Sequence, residues 1–275
     1  MLEQLKYKNH INEVFEFGKD GIFVDTNDLH DYEWNVVTKG SRIASLGYAV
    51  GTKTLPVTII CETEDQGIAA RNRLHEVVEK DVLAMQHGQI IIGDYYFKCF
   101  VTKSQKSNYL ITKRHLKLTL TLTTDFPYWV KETKFTFRKT PEESTNGGLD
   151  YTFDFPFDYC INTGSGGLDN GGFVGTNFRM IIYGPASNPA VYIADHLYHV
   201  RCGDIGENEY LTIDSINKTI TLTDAYGNVA NVFNMRNRDS YIFEKIQPGN
   251  NVVTWDGDYG FDLILLEERS EPKWT

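Results

Sequence analysis

The sequence predicts a mainly β protein, with an α+β first half followed by an all-β second half. Three observations predict it. Residues 116–123 (LKLTLTLT) alternate Leu with Lys or Thr, the period-2 pattern of a half-buried antiparallel strand. Residues 63–80 (TEDQGIAARNRLHEVVEK) place Ala70, Leu74, Val77 and Val78 at helical spacing, and this is the one substantial helix expected. In the second half, short β-rich runs alternate with turn-rich stretches, the texture of an antiparallel sandwich.

Along the first half, Thr54–Cys61 (TLPVTIIC) reads as a strand, with Pro56 placing its first part at a sheet edge, because proline lacks the ladder donor. The helix follows. Thr63 and Gln66 have capping-box spacing, and Glu64 and Asp65 occupy the first turn, where the helix dipole favours acids. Ile90–Ile92 and Tyr95–Val101 are short strands joined at Gly93-Asp94, a hairpin signal. Tyr109–Thr123 completes the group, and Asp125 and Pro127 end it. Leu116, Leu118, Leu120 and Leu122 share one face of this last strand.

The texture then changes. Residues 131–150 are polar, with one Pro and two Gly, and read as a linker. The expected domains are 1–138 and 139–275. GSGGLDNGG (164–172) reads as a loop. Phe178–Tyr183, Ala190–Ile193, Tyr210–Asp214, Thr219–Thr223, Tyr241–Phe243, Asn251–Trp255 and Phe261–Leu266 read as strands.

Composition narrows the function classes. The chain has 275 residues, 41% of them hydrophobic, and a formal net charge of -10. That suffices for a sizeable core, and it opposes a general nucleic-acid binder, which needs a basic face. The longest apolar runs, Val57–Cys61 and Phe261–Leu266, are strand-sized, far short of a membrane-spanning helix. The first residues, MLEQLKYKNHINEVFEFG, contain no apolar signal region. Cys61, Cys99, Cys160 and Cys202 lie far apart with no CxxC pair, as expected of free thiols in a reducing compartment.

Candidates for chemistry are weak. The 164–172 glycines lack the GK[ST] of a phosphate loop and the dinucleotide spacing. His196, His199 and Cys202 suggest a metal, but residues three apart on a strand diverge. Asp256, Asp258 and Asp262 surround two glycines without the calcium-loop pattern. No carboxylate pair stands out for glycoside hydrolysis, and no nucleophile elbow, HExxH or Cys-His signature is present. Trp255, Tyr259 and Trp274 could stack on a sugar or serve as core residues or interface anchors. The expectation is a non-enzyme without cofactor or metal.

The order of several motifs resembles the distal tail proteins (Dit) of long-tailed phages infecting Gram-positive bacteria. In the first half these are the helix ending RNRLHEVVEK, the hairpins, and the alternating strand closing on Asp125, Phe126, Pro127, Tyr128 and Trp129. In the second half they are IIYGPASNPAVYI, with Gly184, Pro185, Asn188 and Pro189, then EYLTIDSINKTITL, then QPGNNVVTW, with Pro248, Gly249 and Asn250. The resemblance spans essentially the whole chain. It implies that the first domain, a β-barrel or sandwich with one helix, builds a hexameric ring at the end of the tail tube. The second would be a galectin-like antiparallel β-sandwich. The implied partners are other copies of the chain, the major tail tube protein, the tail-associated or tail-tip protein, and receptor-binding or baseplate proteins. DNA would pass through the lumen without sequence-specific binding. The implied location is the distal end of the virion tail, after assembly in the host cytoplasm, with no membrane. The Asp125–Trp129 cluster would mark the domain junction, and Gly184, Pro185, Pro248, Gly249 and Asn250 would be structural turns. Six copies at -10 each would give the ring a formal charge of -60, and part of it facing the lumen would repel phosphate. The alternative functions are host adhesion through carbohydrate binding and cell-wall hydrolysis.

Overall fold

In a computed structural model of the protein, the described residues are 4–47, 49–107, 112–140 and 164–274. They form two compact units, Met1–Lys131 with Glu268–Thr275, and Glu132–Glu267. Among the described residues no helix is long and apolar enough to cross a membrane.

The first unit contains β1 (Leu5–Lys8), β2 (Val14–Glu16), β3 (Ile22–Val24), β4 (Asn35–Lys39), β5 (Arg42–Gly47), β6 (Gly51–Ile60), α1 (Glu64–Ala84), β7 (Gly88–Ile92), β8 (Tyr95–Lys106) and β9 (His115–Thr124). β10 (Trp129–Phe137) begins there and runs on into the second unit. β8 is the spine. Its first half pairs with β7 and with the start of β10, and its second half pairs with β9 after a register shift at Val101/Lys103. β7 continues to β1 and β2, and β9 continues to β6 and β3, all antiparallel.

The predicted alternation of β9 is present. Leu116, Leu118, Leu120 and Leu122 are buried, while Lys117 is exposed. β6 extends to Gly51, and its partner β3 reaches only Val57. Pro56 pairs with Thr119 of β9 and lies just past the end of β3, where Asp25 N still donates to its carbonyl at 3.0 Å and no donor is asked of the proline. β7 and β8 join through Gly93-Asp94, with Gly93 at φ +56, the sign a type II′ turn requires of its first central residue. β9 starts at His115; of the earlier expected residues, 109–111 lie outside the described ones.

The capping box of α1 is intact. Gln66 N donates to Thr63 Oγ1, and Thr63 N donates to Gln66 Oε1, both at 3.2 Å. Ala70, Leu74, Val77 and Val78 pack into the core of the unit. The helix runs four residues past Lys80 and stops at Met85, which takes the left-handed conformation.

In the second unit β11 (Gly164–Asn170) and β12 (Asn177–Tyr183) are followed by the short β13 (Ala186–Ser187), β14 (Ala190–Ile193), β15 (His196–His199) and β16 (Asp204–Ile205). Then come β17 (Tyr210–Asp214), β18 (Thr219–Thr223), β19 (Val229–Asn231), a 3-10 turn (Phe233–Met235), β20 (Gly249–Trp255) and β21 (Phe261–Arg269). One antiparallel sheet runs β19-β18-β17-β12-β21, with β10 beside β21, and another runs β11-β20-β14-β15. Phe178, Met180, Ile182, Leu211 and Leu263 of the first share one buried cluster with Leu168, Val191, Tyr198 and Val253 of the second. This is the expected antiparallel sandwich.

Three expectations need correcting. Residues 131–137 of the supposed linker are strand β10, and 141–150 lie outside the described residues. Tyr241–Phe243 is a turn, not a strand: Glu244 N bonds Tyr241 O at 3.0 Å, and the consecutive Ile242 and Phe243 are both buried. Most of the supposed 164–172 loop is β11, paired along its length with β20. Its glycines admit aromatic rings. A Cβ on Gly164 would lie 2.3 Å from the Trp255 ring, and one on Gly166 would lie 2.7 Å from the Phe137 ring. Gly164→Ala should therefore cost about 1–3 kcal/mol by overpacking, measured by urea denaturation, whereas Gly167→Ala, with open space around it, should cost far less.

Candidate functional site

The largest feature that sequence reading missed is the hairpin β4–β5. Among the described residues it stands as its own two-stranded sheet, paired with no other strand. Lys39 pairs with Arg42 around a two-residue turn, with Gly40 at φ +64. Val36 faces Leu46, and after a register shift Thr38 faces Ile43. Residues two apart share a face, so Val36, Leu46 and Ile43 form one apolar stripe. Their exposures are 52%, 56% and 63%. Trp34 and Tyr32 before the hairpin, and Val50 after it, are also exposed. An isolated two-stranded ribbon is marginal in water, and an apolar stripe on one marks an interaction surface.

The root of the hairpin is built firmly. Leu29 is buried, and its carbonyl accepts a hydrogen bond from Trp129 Nε1 at 3.3 Å. The Asp28 carboxylate accepts from Thr54 N at 2.7 Å and Thr54 Oγ1 at 2.9 Å. Lys53 Nζ donates to the carbonyls of Asp28, at 3.0 Å, and Asp31. Burial lowers the Lys53 pKa, against the pull of Asp28 and Asp31. A cavity of about 440 Å³ opens here, lined by Asp31, Asn35, Lys53, Phe97 and Pro127 among others.

The Asp125–Trp129 cluster thus borders the hairpin root. Trp129 is fully buried, with its ring 5.3 Å from Phe97. Phe126 and Tyr128 contact each other at 5.1 Å and are partly exposed. His87 Nε2 lies 2.8 Å from the exposed Asp125 carboxylate. Trp129 also opens β10, the strand that enters the second unit.

Of the second-half motif residues, Gly184 and Pro185 lie between β12 and β13, whereas Gly249 and Asn250 open strand β20 and pair with Asn170 and Asp169 of β11. Gly184 precedes Pro185 through a cis peptide, and a Cβ on Gly184 would lie 2.0 Å from the Gly206 carbonyl oxygen. Asn188 takes φ +44 and its side chain accepts from Gly203 N. Pro248 leads into Gly249, at φ +90, and Asn250 at the start of β20.

The polar candidates are occupied locally. His196 Nε2 lies 2.9 Å from the Tyr241 carbonyl and 3.2 Å from Ser240 Oγ. His199 is three residues along the same strand, on the other face. Asp262 stands apart from Asp256 and Asp258: it is buried and bonded to Lys134 Nζ (2.8 Å), Tyr183 Oη (2.6 Å) and Thr136 Oγ1 (2.7 Å). Burial pushes its pKa up, and those three partners outweigh burial and hold it below the usual range. The same contact pushes Tyr183 up to about 12. Among the described residues no His, Cys, Asp and Glu cluster could hold a metal ion. Cys61, Cys99 and Cys202 are free thiols, and Cys160 lies outside the described residues. Trp255 and Tyr259 are core residues, and Trp274 stacks on His30 at 4.1 Å.

Charge is divided unevenly. Residues 132–267 carry 19 Asp and Glu against nine Lys and Arg, whereas the remaining residues carry 18 of each. The whole formal charge of -10 belongs to the second unit.

No protein-family model matches the sequence, and no curated protein matches it. Solved structures do match. The SPP1 Dit protein, described as a paradigm of the hub adsorption apparatus in Gram-positive infecting phages, is 10% identical with a TM-score of 0.59, over 98% of this chain and 100% of that one. A chain of the phage P2 baseplate, in its activated conformation with Ca, is 12% identical with a TM-score of 0.64, over 99% and 100%. A chain of the same baseplate with Sr is 10% identical with a TM-score of 0.63, over the same shares. This protein therefore has the Dit-like fold of phage tail-hub and baseplate proteins.

Proposed function

We propose that the protein is a structural distal tail protein: a non-enzymatic hub whose first domain closes into a hexameric ring. The ring joins the tail tube to the tail-tip or baseplate and receptor-binding proteins, and DNA passes through its lumen. The observation that carries this reading is the exposed apolar stripe of β4–β5, on a hairpin with no further partner strand among the described residues. A ring needs one heterologous contact repeated until it closes. A projecting hairpin laid against the next copy supplies such a contact and shields its own edges. The Dit-like fold over the whole chain supports the same role. The first unit is neutral overall, so the acidic surplus no longer argues for a repulsive lumen wall.

The test is Ile43→Asp with Leu46→Asp. Both side chains are exposed in the single chain, so folding stability should change by no more than about 0.5 kcal/mol each. Burying Ile and Leu at a contact contributes about 1.5–3 kcal/mol each. Self-association, read by sedimentation velocity, should weaken at least 100-fold. Unchanged association would remove the hairpin from the interface.

A further inference from the structure

The hairpin β4–β5 ends in a charge conflict. Lys39 and Arg42 stand directly opposite each other at its tip, on either side of the two-residue turn. Like charges in that position destabilise a strand pair. Both side chains are exposed, and among the described residues neither has a carboxylate partner. By the register they lie with Val37 on the face opposite the Val36, Leu46 and Ile43 stripe. In a single chain the pair only costs stability.

The cavity of about 440 Å³ at the hairpin root has the opposite sign. Its charged lining residues are the carboxylates Asp28, Asp31 and Glu33 and the ammonium of Lys53, a formal charge of -2. The Asp28 carboxylate is taken by Thr54. Asp31 and Glu33 are exposed, and among the described residues neither forms an ion pair. Lys53 donates instead to the backbone carbonyls of Asp28 and Asp31. Tyr32 and Val50 add exposed apolar surface to the same cavity. The hairpin holds tip and root apart. Asn35, in the cavity wall, is four strand steps from Lys39, about 13 Å at the usual spacing, whereas an ion pair closes within about 4 Å.

We infer that the hairpin tip of one copy docks in the root cavity of the next, where Lys39 and Arg42 pair with Asp31 and Glu33. The inference rests on the ring proposed above and names the surface that receives the hairpin. Charge complementarity carries it: two unpaired cations at the tip match a formal -2 at the root, and the ribbon keeps them from meeting within one chain. In a closed ring every contact satisfies both, because each copy gives one tip and receives one. The Arg42 guanidinium brings a planar fork that fits a carboxylate. Opposed charges also fix the order of giver and receiver, since tip against tip or root against root is repulsive.

The experiment is sedimentation velocity on the full-length protein with two charge-reversed variants. Lys39→Glu/Arg42→Glu puts acids at the tip, and Asp31→Lys/Glu33→Lys puts cations at the root. Either variant alone sets like charges against each other at every contact, so its self-association should weaken about 100-fold. In an equimolar mixture the acidic tip of the first fits the basic root of the second. The basic tip of the second likewise fits the acidic root of the first. The mixture should therefore regain wild-type assembly, with the two variants alternating around the ring. Wild-type association by either variant alone overturns the inference, and so does a mixture that stays dissociated. Neither result touches the ring itself, which fails, and this pairing with it, if the wild-type chain never associates. Should Asp31→Lys disturb Lys53 and the fold, Glu33→Lys alone serves as the root variant, expected at about tenfold with the same rescue on mixing.

Discussion

Asp81→Ala will destabilise the first unit by about 3–5 kcal/mol, because several donors lose their acceptor at about 1–3 kcal/mol each. The Asp81 carboxylate is fully buried near the end of α1. Tyr7 Oη donates to Oδ2 at 2.5 Å, His10 N donates to Oδ1 at 2.8 Å, and His10 Nδ1 lies 2.6 Å from the same Oδ1. Burial, then the bond to Asp81, pushes the Tyr7 hydroxyl far above its ordinary pKa, so it stays protonated as a donor. One carboxylate thus ties β1 to α1. The packing leaves no slack, because a Cβ on Gly88 would lie 2.2 Å from both Asp81 Oδ2 and Tyr7 Oη. Alanine would leave the buried Tyr7 hydroxyl and the half-buried His10 N–H without their acceptor. Urea denaturation should show the midpoint falling with an unchanged slope. A loss below about 1 kcal/mol would mean that water or a neighbouring group replaces the carboxylate.

Trp129→Ala is the second large effect, expected at about 3–5 kcal/mol for a fully buried ring. Trp129 packs on Phe97, holds the Leu29 carbonyl through Nε1, and starts β10. Trp129→Phe separates these roles. It keeps an aromatic ring in the core and loses the hydrogen bond, so stability should fall by about 1–3 kcal/mol. Hydrogen exchange should then speed up selectively in residues 29–47, because the hairpin root has lost its tether. Uniform acceleration across the unit would reduce Trp129 to a packing residue.

The sequence disclosed the parts of this fold whose environment is two-faced. β9 alternates cleanly because one face meets the core and the other water. The start of α1 was legible because Thr63 and Gln66 satisfy each other locally. The opaque parts depend on partners distant in the chain. β11 looks like a glycine loop until Trp255 and Phe137 are placed against it. β4–β5 has apolar residues with no core beneath them, so its alternation has no buried face to betray it. Tyr241–Phe243 has strand composition, but its residues hold Lys218 and fill the core from a turn. The Asp125–Trp129 cluster stands out in the sequence as an aromatic group closing β9, whereas the tie of Trp129 to the hairpin root lay in its contact with Leu29, 100 residues earlier. Net charge misled because it was averaged over two units that differ by ten charges.

The central claim is that copies of this chain assemble through the first unit. Light scattering across a concentration series measures that most directly. One chain has a mass of 31.4 kDa. A closed ring of six predicts a plateau at about 190 kDa that does not grow further as concentration rises, and the Ile43→Asp/Leu46→Asp protein should stay at the mass of one chain. A wild-type protein that remains at 31.4 kDa at every concentration would contradict the account.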